Sequence, residues 1–383
     1  MQHITFSLLT DLTYHRDIIT GAAGYARDHE LPWLFSFQPD SKALLKSDEA
    51  LRPDGAIVYL PTRETSPVPK NVPFPLVNVS STSEKNQKIP SVLPDNHGIG
   101  RMAAAHLTAR GYRILYSIGP ATFFGKKRHE GFREYCVECE GLEVHYWDVP
   151  FPWSPESIIR TGLSPERLEE IVRETTNPPA FFLHDDDLAL HFAQMAALQN
   201  LRVPFDLALM GVNNQEHVCM LNYPPRTSIQ IAGEKMGYEA ARLLHLQLQN
   251  KPLPNTVVNI PPSGLVERES TGYLNANEPS VRNALAFMQN HLSGNLLISD
   301  VANAIGLSRR VLEKRFQRHM GITIGRKWIE MRIEKARDML LNTDLQLVEI
   351  AKLTGFNTSQ RLATVFKQHT GLTLTQARRQ IRR

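Results

Sequence analysis

Polar side chains gather in this sequence just after runs of apolar, β-prone residues. Asp11, Tyr14, Arg16 and Asp17 follow the run 4–9, and Asp95 and Asn96 follow the run around Val92. Lys127 and Arg128 come after 113–118, His184, Asp185, Asp186 and Asp187 after 180–183, and Asn213 and Asn214 after 207–212. In an open α/β sheet, ligands bind beyond the carboxyl ends of the strands. Carboxylates, amides and a guanidinium converging from separate strands suit a polyhydroxylated ligand, because each hydroxyl both donates and accepts a hydrogen bond. Tyr14 and Phe124 add rings that can stack on the apolar face of a sugar.

Other chemistries fit these residues less well. Adjacent side chains at a strand end diverge, so His184 and the aspartates after it do not read as a metal set; Asp186 or Asp187 can cap the following helix instead. Between Gly119 and the Gly125 that precedes Lys126-Lys127 there are five residues where a phosphate-binding loop has four, and no Ser or Thr follows. No G-x-S-x-G elbow occurs. Cys136 and Cys139 form a C-x-x-C without the second pair of a structural zinc site, and three cysteines in all argue against a disulfide framework. The expectation is a binding protein with no catalytic set, metal or cofactor. The alternatives are a sugar- or nucleotide-acting enzyme with an appended DNA-binding domain, and a ligand-independent architectural DNA binder.

Periodicity shows the elements that must position these residues. Up to about residue 265, β-prone runs at 4–9, 33–37, 56–60, 76–79, 113–118, 144–147, 180–183, 207–212 and 257–260 alternate with helical patterns. Those patterns fall at 17–28, 98–109, 165–174, 188–199 and 234–249. Alternation predicts parallel sheets covered on both faces. At this length two doubly wound lobes are favoured over one oversized sheet. Beyond about 280 only helical patterns remain. The expected architecture is an α/β sensor of two doubly wound lobes over 1–274, a linker at 275–279 with Ser280 as a helix cap, and an all-α domain over 280–383. No run of 18 apolar residues is present, which excludes a transmembrane helix. The first residues lack the basic start and apolar core of a signal peptide, and sparse cysteines fit a reducing compartment, so the expected location is the cytoplasm.

The helical part repeats itself. The segment 298–307, ISDVANAIGL, matches 347–356, LVEIAKLTGF, at an offset of 49. After the glycine the offset becomes 50, pairing Leu312 with Leu362, Phe316 with Phe366 and Gly321 with Gly371. In the first copy Ile298, Val301, Ala302 and Ile305 share a helical face, Gly306 supplies the turn, and Ser308 caps a helix that buries Leu312 and Phe316. This is a helix-turn-helix pattern, present twice. Between the copies, Ile329, Ile333, Ala336 and Leu340 lie on one face of a helix from 323 to 342. Its length of about 30 Å compares with the roughly 34 Å between successive major-groove faces of B-DNA. Charge agrees with a polyanionic partner: residues 280–383 hold 18 Lys+Arg against 7 Asp+Glu, or +11, while the rest of the chain carries −7.

Residues 280–383 resemble the DNA-binding domain of the AraC family of transcription regulators, on the glycine turn of each unit and on Phe366-Lys367-Gln368-His369-Thr370-Gly371. The resemblance implies base-reading side chains at Arg309, Arg310, Glu313 and Lys314 on the first recognition helix. On the second it implies Ser359, Gln360, Arg361, Ala363 and Thr364. Arg and Lys can donate to guanine, Gln can grip adenine, and Glu can accept from cytosine. Arg378, Arg379, Arg382 and Arg383 match phosphate contacts. Residues 1–272 resemble the periplasmic-binding-protein-like sensor of the LacI family. The carrying segments are Pro94-Asp95-Asn96, Arg128 with Gly131-Phe132, His184-Asp185-Asp186, Met210-Gly211-Val212-Asn213-Asn214 and Met236-Gly237-Tyr238. Such sensors usually carry Asp where this chain has Asn213. The fusion is similar to the xylose-operon activator family of bacteria, which Tyr14-His15-Arg16-Asp17 and Leu312-Glu313-Lys314-Arg315-Phe316 also match. That likeness implies a sugar-responsive activator sensing xylose or a related pentose. Its partners would be double-stranded operator DNA and RNA polymerase, and it would act as a homodimer. The expected ligand residues are Tyr14, Arg16, Asp17, Asp95, Asn96, Arg128, Asp185, Asp186 and Asn213.

Overall fold

The computed structural model describes all residues except 9–11, 46–51, 61–71, 84–88, 223, 255, 273–278, 295, 344 and 382–383. The chain divides into two units, Met1–Gly272 and Tyr273–Arg383. The first begins with β1 (Gln2–Ser7), α1 (Thr13–Asp28), β2 (Trp33–Phe37), α2 (Ser41–Leu45), β3 (Gly55–Val58), β4 (Leu76–Asn78), β5 (Ser91–Pro94) and α3 (Asn96–Ala109). Then come β6 (Ile114–Pro120), α4 (Phe123–Val137), β7 (Glu143–Val149), α5 (Pro155–Ile159), α6 (Pro165–Glu174) and β8 (Ala180–Leu183). They are followed by α7 (Asp186–Leu198), β9 (Ala208–Val212), α8 (Glu216–Cys219), β10 (Thr227–Gln230), α9 (Gly233–Leu248), β11 (Val257–Ile260) and β12 (Gly264–Val266).

These strands make two six-stranded sheets, ordered β11-β5-β4-β3-β1-β2 and β12-β10-β9-β8-β6-β7. The first is parallel throughout. The second is parallel except for β12, which pairs antiparallel with β10. The two lobes are therefore as expected, with one antiparallel edge that periodicity did not reveal. The chain passes between lobes after β5, after β10 and after β11. Central strands such as β3, β6, β8 and β9 are buried along their whole length, while the edge strands β2 and β7 are only partly covered.

In the N-terminal lobe α1 packs on α9 nearly backbone to backbone. A Cβ added at Gly21 would sit 1.9 Å from the Glu234 carbonyl oxygen, and one at Gly237 would sit 1.9 Å from that of Ile18. Glycine is needed here for proximity rather than for an unusual φ.

The second unit is α10 (Pro279–Asn290), α11 (Ile298–Ala304), α12 (Arg309–Met320), α13 (Ile324–Asn342), α14 (Leu347–Leu353), α15 (Ser359–Thr370) and α16 (Leu374–Ile381). The repeat is visible residue by residue: α14 is α11 shifted by 49, and α15 is α12 shifted by 50. Gly306 and Gly355 take φ of 70° and 73°, the left-handed conformation the turn requires. Leu312 and Phe316 in one copy, and Leu362 and Phe366 in the other, are buried. Ser280 lies inside α10 rather than capping it, because the helix starts at Pro279; a first-turn proline needs no N–H partner. The expected linker residues 275–278 lie outside the described residues.

The glycine contact between α1 and α9 gives a first test. Gly237→Ala gains up to about 1 kcal/mol of helix propensity, but its methyl overlaps a backbone carbonyl and forces the helices apart, at about 1–3 kcal/mol or more. Urea unfolding of the variant should show a net loss of about 1–2 kcal/mol. A more stable variant would mean that the contact is looser than described.

Candidate ligand cleft and nucleic-acid interface

Each sheet has a topological switch point. β1 has β2 on one side and β3 on the other; β6 has β7 and β8. Beyond the carboxyl ends of such strands a crevice opens for ligand. The two crevices are drawn together by the chain crossings, and Arg128 lies between them.

Arg128 projects from α4 and is 4% exposed. Its Nε donates to Asn96 Oδ1 at 2.9 Å, and its Nη1 donates to the carbonyl of His184. The guanidinium carbon lies 5.1 Å from the centre of the Phe124 ring. Burial holds its pKa down to about 10, opposed by the charges of Asp185, Tyr14 and Asp186. Asn96 is itself fixed, donating through Nδ2 to Ser81 Oγ at 3.2 Å and to the Pro94 carbonyl at 3.1 Å. It positions Arg128 with every polar atom engaged.

Asp185 caps α7, accepting from the Asp187 amide at 2.8 Å, and its other oxygen accepts from Asn213 Nδ2 at 2.9 Å. Burial, with Asp187 nearby, raises its pKa to about 6. Asn213 is held at φ 102°, and its amide is the group that can face a carboxylate; an aspartate there would set two acceptors against each other. Burial raises the Tyr14 hydroxyl well above its usual value, with charge effects from Tyr59, Arg128 and Asp185. Tyr14, Tyr59, Arg128, Asp185 and Asn213 therefore form one group.

The other expected ligand residues have different surroundings. Asp186 is wholly buried, accepting from Ser228 Oγ at 2.7 Å and from the Gln215 amide at 2.7 Å. Burial raises its pKa to about 7, and a Cβ at Gly211 would touch its Oδ1 at 2.1 Å. It braces β9 and β10. Asp95 caps α3, accepting from the Gly98 amide at 2.9 Å. Arg16 is exposed and reaches Thr13 Oγ1 at 3.5 Å. Asp17 lies against the start of α9, beside Gly233 and Glu234. The ring of His184 turns away from the cleft, with Nε2 3.0 Å from Ser117 Oγ, which also meets His129 Nδ1 at 2.9 Å. Thus residues 184–186 point three ways. Among the described residues no cluster of three metal-ligating side chains occurs.

Sequence reasoning missed the rim on the other lobe. The amides of Phe123 and Phe124, at the start of α4, donate across the cleft to the carbonyls of Thr82 at 3.3 Å and Ser81 at 3.0 Å. Ser80, Ser81 and Thr82 follow β4 as a polar run at a strand's carboxyl end, which was a readable signal. Ser80 and Thr82 hydroxyls both donate to the Leu60 carbonyl, at 2.7 and 2.9 Å, tying the ends of β3 and β4 together.

In the second unit, α12 exposes Arg309, Arg310 and Lys314, with Glu313 half-buried. Arg309 Nε donates to Glu313 Oε1 at 2.9 Å. On α15, Gln360, Arg361 and Thr364 are exposed, whereas Ser359 and Ala363 are half-buried. Thr364 donates to the Gln360 carbonyl at 3.0 Å, so its hydroxyl can offer only an acceptor to a base. Arg378 is turned inward: Nη2 donates to the Leu345 carbonyl at 2.7 Å, closing α16 onto the connection between α13 and α14 rather than reaching for phosphate. Arg382 and Arg383 lie outside the described residues, as does the side chain of Arg379. The nineteen residues of α13 span about 28 Å, and the helix lends Ile333, Ala336 and Leu340 to the core of the second copy.

A family model for a periplasmic binding protein-like domain matches residues 104–271, and one for a helix-turn-helix domain matches residues 301–380. The chain is a DNA-binding transcription regulator. It is 26% identical over 368 residues to the xylose operon regulatory protein of Escherichia coli strain K12, covering 95% of this chain and 94% of that one. The corresponding Haemophilus influenzae protein is 23% identical over 374 residues, with 94% of each covered. A solved xylose-binding transcription activator superposes with a TM-score of 0.81 at 25% identity, covering 99% of this chain and 98% of the other. The regulator thus shares both its parts, in the same order, with these proteins.

If α12 reads bases, its exposed cations must act unequally on different sequences. Arg310→Ala or Lys314→Ala in the regulator should lower preference for the cognate site by about 1–3 kcal/mol. Competition binding against scrambled duplex measures this. Equal losses on cognate and scrambled DNA would assign these side chains to phosphate.

Proposed function

We propose that the regulator is an activator whose effector is a small sugar, xylose or a related pentose, bound between the two lobes of the sensor. The observation that carries this reading is the nearness of a buried guanidinium and a carboxylate at the carboxyl ends of the strands. Arg128 has Nε and Nη1 committed to protein oxygens, which fixes the plane of the guanidinium and leaves Nη2 for a ligand. The Asp185 carboxylate accepts from the Asp187 and Leu188 amides and from Asn213 Nδ2, and its two oxygens have capacity left for a hydroxyl. Tyr14 and Tyr59 add a hydroxyl each beside them. Donors and acceptors so mixed fit vicinal hydroxyls better than they fit an anion or an apolar ligand. The names of the full-length relatives support the choice of sugar.

On this reading the regulator works in the cytoplasm as a homodimer, performs no catalysis, binds operator DNA through α12 and α15, and presents RNA polymerase with a ligand-dependent surface. The sugar stabilises the closed cleft, and the closed sensor favours the DNA-competent state.

Thermal shift with xylose, arabinose, ribose and glucose identifies the effector, and turnover of the bound sugar would defeat the non-enzymatic reading. Calorimetry on Arg128→Met and Asp185→Asn should show xylose affinity reduced by about 2 kcal/mol or more for each, since charge-assisted bonds are lost. The pH dependence has a defined sign. Protonation of Asp185 removes acceptors, so affinity in the wild type should weaken as pH falls through about 6, and the Asp185→Asn variant should lack that dependence. Unchanged affinity in both variants would place the sugar elsewhere.

Coupling provides a separate test on the full-length protein at one salt concentration. Saturating xylose should tighten operator binding by about 5–150-fold, and operator DNA should tighten xylose binding by the same factor. Equal operator affinity with and without xylose would move control to a step after DNA binding.

A further inference from the structure

The two helix-turn-helix copies differ most where their glycine turns face the rest of the domain. A Cβ added at Gly306 would meet nothing within 4 Å, whereas one at Gly355 would meet Arg332 Nη2 at 2.5 Å and the Leu292 carbonyl at 2.7 Å. The second turn is therefore packed against Leu292, just past the end of α10, a helix that packs on α11 and α12 of the first copy, with the Arg332 guanidinium beside the contact. Arg332 sits midway along α13. Its guanidinium carbon lies 4.5 Å from the ring centre of Trp328, one turn back on the same helix, and 5.8 Å from that of Phe356 in the second turn. Nη2 donates to the carbonyl of Gly294, in the connection from α10 to α11. Nε is buried without a hydrogen-bond partner. A half-buried cation thus touches both copies and the helix that joins them.

We propose that Arg332 is a positioning residue that fixes the separation and rotation of the two DNA-reading units, and so sets the spacing between the two boxes the regulator accepts. The inference rests on the reading of α12 and α15 as DNA readers. Without this contact the copies would be related through α13, about 28 Å long, and the close approach of the Gly355 turn to Leu292, and a long helix curves enough to change the phase of two readers at its ends. With it, bending would pull a guanidinium off two rings and a carbonyl at once. Lysine is a poor replacement, since an ammonium can take the carbonyl bond but cannot stack as a plane on Trp328 and Phe356.

The test uses full-length wild type, Arg332→Lys, Arg332→Met and Phe356→Leu. A two-box duplex is first obtained by selection from random DNA with the wild type. Affinities are then measured for that duplex, for versions with 5 base pairs inserted or removed between boxes, which rotates one box by about half a turn, and for single-box duplexes. Circular dichroism and melting verify folding of each variant. The expected result is that wild type rejects the half-turn duplexes, while Arg332→Met reduces that discrimination by about tenfold and leaves single-box affinity within about twofold. Arg332→Lys and Phe356→Leu should fall between, and they carry the test if Arg332→Met fails to fold. Retained spacing preference in the folded variants, or a parallel loss on all duplexes including single boxes, overturns the proposal. Absence of any spacing preference in the wild type overturns the two-reader reading itself, and the proposal with it.

Discussion

Burying a guanidinium is costly, and the sensor is organised around doing so at Arg128. A cation removed from water loses several kcal/mol unless its protons are taken up and an opposite charge is near. The compensation comes from three elements: Asn96 at the start of α3, the His184 carbonyl at the end of β8, and the Phe124 ring at the start of α4. Asn96 in turn depends on Ser81, in the connection after β4, and on Pro94 at the end of β5, both on the side of the other sheet. The side chain that presents charge to the cleft is thus held by both lobes. Opening the cleft must strip a partner from a buried charge or from the amides of Phe123 and Phe124. Packed interfaces of this kind tend to have two states rather than a continuum, which suits a sensor.

The carboxylates show how burial separates like residues into different roles. Asp185 and Asp186 are neighbours, yet one faces the cleft and the other is enclosed beneath β9 and β10. Asp186 spends its oxygens on a hydroxyl and a backbone amide, and Gly211 is needed to make room for it. Asp185 retains capacity for a ligand and depends on Asn213 for one of its donors. The amide at 213 is therefore part of how this site tolerates a buried carboxylate.

The DNA-binding unit follows a different logic. Duplication supplies two readers, and a shared helix supplies their spacing. The copies have diverged on the surface more than in the core: Leu312 and Phe316 have exact counterparts in Leu362 and Phe366, while Arg309, Arg310 and Lys314 are set against Ser359, Gln360 and Thr364. A charged reader gains much of its affinity from phosphates and guanine edges, and a polar one depends on fewer, more directional contacts. On the proposed reading of α12 and α15 as DNA readers, the two copies would thus favour different boxes.

What the sequence by itself determined follows from local periodicity. The two lobes, the paired helix-turn-helix copies and the extent of α13 were all legible, because a helix face or a buried strand is written in neighbouring residues. The membership of the proposed ligand group was legible only in part. Tyr14, Arg128, Asp185 and Asn213 were identified by their places after strands and do come together. Asp95, Asn96 and Asp186 stand in equivalent places but are taken up by a helix cap, a guanidinium and a strand brace. The strands β10 and β12 were also hidden: Thr227 and Ser228 in β10 are polar but buried with their hydroxyls bonded, and β12 is a three-residue edge strand defined by its antiparallel pairing with β10. Only the tertiary structure could decide these points, because a side chain's direction and the fate of its hydrogen bonds depend on partners far away in sequence, such as Asn96 for Arg128 or Gly294 for Arg332.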